Sequence, residues 1–302
     1  MKYFTVLHRA SALCVGVFWA VLMTQAHAQA LTDAAGRAVD PGKAERILSL
    51  GPDVTEILYA LGAGDRVVGV DRGSRYPEAT LSKPNVGYRR SLSAEGVLAL
   101  GPDFIIASED IGPPPVVEVL KTTAVPLLLV PEDNSLAGIE KKIALIAAAL
   151  KREEKGRELA QTVRADFTAA ANLTASIPPE KRKKVVFFHG LTRLSAAGAD
   201  TAADAVIRYA GGVNPLGGMK GYKAASEEFL LKAAPEVVLL MSDGKGGPAA
   251  DFVFSNPALK QTPAARDRAL IVLDGPYMIG FGPRTAQAVR DLAKALYPEI
   301  GD

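Results

Sequence analysis

Few side chains in this sequence have the type and spacing to do chemistry. His8, His27 and His189 are the only histidines, and the first two lie in an N-terminal stretch that reads as removable. His189 would then be the sole imidazole, too few for a histidine-rich zinc or manganese cage. A Ser-His-Asp arrangement would have to recruit it, and no G-x-S-x-G flags a partner serine. No G-x-x-x-x-G-K-[S/T] phosphate loop occurs, and no acidic cluster resembles a calcium loop. Gly62-Ala63-Gly64 starts like a dinucleotide fingerprint, but Val67 stands where the third glycine belongs. The glycines also follow a helical stretch instead of a strand, so they read as a helix terminus. Cys14 is the single cysteine, which rules out an internal disulfide. What remains is a pair of matching triplets, Gly87-Tyr88-Arg89 and Gly221-Tyr222-Lys223, each placing a phenol beside a cation. Taken alone, either tyrosine is an ordinary half-buried packing residue.

The elements around these triplets give them a setting. Residues 46–50 read as a strand, and 55–61 have helical spacing after a Gly-Pro-Asp turn. Residues 67–70, 104–107 and 127–130 read as further strands, and 93–100 as a helix. Strands alternating with helices predict parallel βα units. From 136 to about 171 the chain is rich in Ala, Leu, Lys and Glu, with a break near Lys151 and then a long helix stopped by Ile177-Pro178-Pro179. At 1.5 Å per residue that helix spans on the order of 30 Å and suits a strut between lobes. A second βα series opens at 184–189 and closes with a helix from Pro283 to Leu296, the proline suiting its first turn.

Residues 93–106 align without gaps to 226–239, an offset of 133, and a Gly-Tyr-basic triplet lies just upstream of each copy. An offset this long indicates two duplicate lobes and no solenoid. Ligands of open α/β sheets sit beyond the carboxyl ends of the strands, so facing lobes would enclose a cleft between Tyr88 and Tyr222. The predicted organisation is an N-terminal segment 1–28, a first lobe 29–135, a helical region 136–176 and a second lobe 177–302.

The segment 1–28 carries Lys2 and Arg9 ahead of an apolar run at 12–23 and ends in Ala26-His27-Ala28. That is the pattern of a cleavable export signal, and the run is too short to cross a bilayer. Without it, basic and acidic residues balance at 33 each, compared with 35 and 33 in the full chain of 302 residues. A neutral chain gives little support to nucleic-acid binding. The expected protein is soluble, periplasmic and monomeric.

The run 86–98, Val-Gly-Tyr-Arg-Arg-Ser-Leu-Ser-Ala-Glu-Gly-Val-Leu, resembles the haem-binding periplasmic proteins of bacterial haemin ABC importers. Residues 49–62, 201–205, 210–214, Gly221-Tyr222-Lys223 and Gly282-Pro283-Arg284-Thr285 add to the resemblance. The resemblance implies the class III binding-protein fold, two Rossmann-like α/β lobes joined by one long backbone helix. It also implies a receptor that takes ferric haem b as its transported ligand and hands it to an ABC permease with a cytoplasmic ATPase, with no reaction of its own.

On this resemblance Tyr88 is the axial ligand of the iron. Ferric iron is a hard cation that favours anionic oxygen, and tyrosinate is a known haem ligand. Arg90 matches the family arginine that donates to the phenolate, a charge-assisted bond. Arg89 is either a propionate contact or a solvated residue. Tyr222 either contacts the porphyrin across the cleft or is a core tyrosine on a turn, and His189 is either a second axial ligand or structural. Glu95 and Glu228 match the family's paired permease-docking acids, or are first-turn acids facing a helix dipole. Cobalamin or a ferric siderophore is the other ligand class consistent with the fold. An exported hydrolase working in the cleft is the alternative of another kind.

Overall fold

A computed structural model describes residues 31–244 and 246–300; the segment read as an export signal lies outside them. The chain opens with a small antiparallel pair, β1 (Leu31–Thr32) and β2 (Ala38–Val39). It then lays down β3 (Ile47–Leu50), β4 (Val67–Val70), β5 (Phe104–Ser108) and β6 (Leu127–Val130), which form a parallel sheet in the order β4-β3-β5-β6. Every residue of β3, β5 and β6 is buried, as expected of a parallel sheet covered on both faces. Its helices are α1 (Pro52–Ala60), α2 (Ala94–Leu98) and α3 (Pro114–Lys121). After α1, Gly62 adopts φ +75° and its N–H bonds the Tyr59 carbonyl at 2.9 Å, so Gly62-Ala63-Gly64 is a helix terminus as its position predicts.

Helix α4 (Leu136–Ala149) is followed by a turn through Lys151 and by α5 (Glu153–Leu173), the 21-residue strut. Gly156, out of place by propensity, is where α4 presses closest: a Cβ there would lie 2.5 Å from that of Ala147. The strut ends at Leu173, short of the predicted Pro178-Pro179 stop.

The second sheet is built from β7 (Val185–Phe188), β8 (Ser195–Ala197), β9 (Tyr222–Ala224), β10 (Val237–Ser242) and β11 (Leu270–Asp274), in the order β11-β10-β7-β8-β9. Strands β11, β10 and β7 are parallel, whereas β8 and β9 run antiparallel at one edge. The sequence did not predict these edge strands, which are only three residues long. Tyr222 therefore opens a strand instead of sitting on a turn. The accompanying helices are α6 (Ala202–Tyr209), α7 (Glu227–Ala233), α8 (Ala250–Phe254), α9 (Pro263–Arg266), α10 (Gly275–Ile279) and α11 (Thr285–Leu296). Helix α11 starts two residues after Pro283, which lies in the preceding turn and not in the first helical turn.

Strand alternation divides the core. Val185 and Phe187 of β7, with Ile47, Phe104 and Ile106 of the first sheet, face a central cluster shared with α4, α5 and α11. Leu48, Leu50 and Ile105 face a separate outer cluster of the first sheet, and Val186 and Phe188 face one of the second. A single apolar layer, built partly on the strut, is thus common to both sheets.

Candidate functional site

The turn bearing Tyr88 is stitched to the carboxyl end of β4. The Val86 N–H bonds the Val70 carbonyl at 3.0 Å, the Arg72 N–H bonds the Gly87 carbonyl at 2.8 Å, and the Ser91 N–H closes the turn onto the Tyr88 carbonyl at 2.8 Å. Gly87 adopts φ +92° and Gly221 φ +70°, so both Gly-Tyr triplets begin from the left-handed region that favours glycine. The Tyr88 ring is 38% exposed, and the Arg72 guanidinium carbon lies 5.5 Å from its centroid, within cation–π range.

Arg89 and Arg90 converge on one acid, Asp110, in the loop after β5. Arg89 grips it with both arms of its fork, Nε to Oδ1 at 2.8 Å and Nη2 to Oδ2 at 2.7 Å, and Arg90 donates to Oδ2 from Nε at 3.0 Å and also from Nη2. Burial works to raise the Asp110 carboxyl, but the two guanidiniums outweigh it and hold the group below the usual range. The two loops are also joined by backbone bonds from Gly112 N–H to the Arg89 carbonyl at 2.9 Å and from Leu92 N–H to the Gly112 carbonyl at 2.8 Å. Tyr88 and its three arginines thus sit beyond the carboxyl ends of parallel strands, where open α/β sheets place ligands.

From the second sheet come His189 and Tyr222. His189 is exposed immediately after β7, its N–H bonded to the Ser195 carbonyl at 2.9 Å. Tyr222, 41% exposed, meets His189 edge to face at 5.9 Å and Phe187 at 6.3 Å. Burial raises the Tyr222 phenol, while the Ala203 N–H, Thr201 and the charge of Arg90 pull against it. Arg90 also lies within electrostatic reach of Tyr88. One guanidinium is therefore electrostatically in touch with both tyrosines, and Tyr88, Arg90, Tyr222 and His189 form one neighbourhood. Among the described residues the contact shown for the His189 ring is the edge-to-face one with Tyr222.

Glu95 and Glu228 lie outside this neighbourhood. Each is exposed in the first turn of its helix, α2 or α7, one residue after the position that follows the capping serine. Ser93 accepts from the Gly96 N–H at 3.0 Å and Ser226 from the Phe229 N–H at 3.2 Å, so the internal match is also a match of cap geometry.

Sequence reasoning missed Arg72, Asp110 and a buried charge cluster close by. Lys142 is fully buried, with its Nζ 2.6 Å from Asp53 and 3.7 Å from Glu132. Burial, reinforced by the charge of Asp53, pushes Glu132 up to about 7. The available signal was Lys142 itself, a lysine on the Ile139, Ile143 and Ile146 face of α4. A pocket of about 610 Å³ lies elsewhere, between α1, the loop after β4, and α10 and α11. Its charged side chains pair with one another, Arg75 with Asp274, Arg284 with Glu56 at 2.6 Å, and Asp291 with the Tyr277 hydroxyl at 2.7 Å, while the buried Arg284 Nε is left without a partner. Among the described residues no cluster of His, Cys, Asp or Glu is arranged to hold a bare metal ion, and no helix is long and apolar enough to cross a membrane.

Residues 47–277 match the periplasmic binding protein family. The chain belongs to that family. Among solved periplasmic binding proteins, the haem-binding RhuT from Roseiflexus sp. RS-1, in apo form, is 40% identical, with a TM-score of 0.79 over 85% of this chain and 99% of that one. The haem-binding BhuT, in complex with two haems, is 36% identical, with a TM-score of 0.78 over 85% and 99%. A vitamin B12-binding protein of Vibrio campbellii is 29% identical over 65% of this chain and 70% of its own length. The fold is the class III type expected of the family, with two α/β lobes joined by one long helix.

Proposed function

We propose that this binding protein is an extracytoplasmic receptor that captures ferric haem between its lobes and delivers it to an ABC permease, with no chemistry of its own. The observation that carries the reading is the half-exposed Tyr88 phenol in a turn lined by Arg72, Arg89 and Arg90, close to the Tyr222 and His189 rings, in a chain 40% identical to a haem-binding relative.

Each part of the neighbourhood suits that ligand. The phenol supplies the anionic oxygen that a hard ferric ion favours, and the arginines suit two propionates and the developing phenolate. The Tyr222 hydroxyl is drawn toward the first turn of α6 by Thr201 and Ala203, so Tyr222 offers a ring face to the porphyrin, and His189 is left as the second-lobe candidate for the iron. An export signal at 1–28 would bring the chain to the periplasm as a monomer, and Glu95 and Glu228 would meet basic residues of the permease.

Haemin added to the purified apo-protein should give the absorbance spectrum of tyrosinate-bound ferric haem, and Tyr88→Ala should abolish it. An unchanged spectrum in the variant rejects Tyr88 as ligand. The vitamin B12-binding relative motivates cobalamin as the second reading; excess cobalamin that displaces haemin from the wild type would favour it.

A further inference from the structure

Asp110 is the meeting point of four hydrogen bonds from two adjacent arginines. Those arginines are not equivalent. Arg89 is the more buried, with 21% of its side chain exposed, and it closes both arms on both carboxylate oxygens. Its Nε–Nη2 edge is held across both oxygens, and its backbone carbonyl is tied to Gly112. Arg90 is 51% exposed and uses Nε and Nη2 on the single oxygen Oδ2. A guanidinium has five N–H donors in a rigid plane. Spending one edge on Asp110 fixes that plane and leaves Nη1 and the outer hydrogen of Nη2 unspent. The arrangement explains how an exposed arginine, which ordinarily gives up much rotamer entropy to hold one pose, can be held ready beside Tyr88 before any ligand arrives.

We infer that Asp110 is the positioning residue of the ligand site: by anchoring one edge of Arg90 it aims the free edge at the Tyr88 oxygen, while the more buried Arg89 is pinned across both carboxylate oxygens. The inference rests on the haem reading of Tyr88, and adds an acid that no local sequence pattern joins to the Tyr88 run. The acid comes from the loop after β5, 20 residues beyond Arg90.

Two roles for this carboxylate predict opposite signs. If Asp110 acted only through its charge, Asp110→Asn would make the site more positive and tighten an anionic ligand with two propionates. If it positions Arg90, the same variant weakens haem binding by about tenfold, the size of one charge-assisted hydrogen bond.

The test is haemin titration of wild type, Asp110→Asn, Arg90→Ala and the double variant, read by affinity and by the tyrosinate-to-iron charge-transfer band. The expected result is that Asp110→Asn weakens binding and moves the band in the same direction as Arg90→Ala. The double variant should then match Arg90→Ala alone, because a positioning residue has nothing left to position. Asp110→Glu, able to reach the same donors, should recover most of the loss. Tighter binding in Asp110→Asn, or additive losses in the double variant, overturns the inference while leaving Tyr88 as ligand intact. Absence of the tyrosinate band in the wild type fails the haem reading instead. Thermal unfolding of each variant without haemin separates a folding defect, and a band that stays at the wild-type position in a folded Asp110→Asn also counts against positioning.

Discussion

Tyr88 and Tyr222 stand at the centre of matching Gly-Tyr-basic triplets, but their surroundings differ. The Tyr88 ring lies beside the Arg72 guanidinium, whereas the Tyr222 hydroxyl is drawn by Thr201 and the Ala203 N–H and its ring meets His189. If Tyr222 serves as a ring face, Tyr222→Phe should keep haem affinity within about threefold, while Tyr222→Ala should lose about tenfold, the worth of one aromatic contact. Haemin titration of the two variants decides it; equal losses would mean that the oxygen, not the ring, is what the ligand needs. Tyr88 and Arg90 were legible because both lie in one contiguous run. Arg72 and Asp110 were not, because they come from the ends of other strands and meet Tyr88 and its arginines only after the sheet assembles.

Helices α2 and α7 are the best evidence that the sequence duplication is a structural one. Both start at a serine that caps the third helical N–H, and both carry an exposed acid at the second helical position. As partners of their own helix dipoles, Glu95 and Glu228 are worth only about 0.5 kcal/mol each, too little to explain a matched pair. If they dock a two-fold permease, Glu95→Arg with Glu228→Arg should abolish haem uptake by cells while leaving the haem affinity of the purified protein unchanged. Normal uptake would return them to ordinary first-turn acids. The buried strands of the first sheet were readable as continuous apolar runs bounded by turns, and the strut from its composition and length. Strands β8 and β9, three residues each, were not, and their pairing depends on β7 for a template. Pro283 misled for a related reason: it suits the first helical turn, yet here it lies in the turn ahead of α11.

The two lobes also share charge. Lys142 of the strut region reaches Asp53 at the start of α1 and approaches the Phe281 carbonyl of the second lobe at 3.5 Å. The following residue, Gly282, packs so closely on α1 that a Cβ there would lie 3.2 Å from the Asp53 Cα. Glu132 faces this joint together with Asp53, Asp110, Lys142 and Arg89. Two acids compete for one buried lysine, and Asp53 is the nearer by about an ångström. Burial and the charge of Asp53 therefore outweigh the attraction of Lys142, and Glu132 holds its proton up to about pH 7, against an ordinary 4.5. A carboxyl raised on folding contributes stability that is complete below its unfolded value and is lost as pH rises through the folded one. Wild type should accordingly lose on the order of 1–2 kcal/mol between about pH 4.5 and 7 through this group, after allowance for its partial exposure. Glu132→Gln keeps the neutral shape and removes the titration, so it should be the more stable protein at pH 8 and lose that advantage near pH 5. Urea midpoints of the two apo-proteins at both pH values test this, and an equal difference at pH 5 and pH 8 would show that Glu132 is ionised in the fold and that Lys142 serves both acids alike.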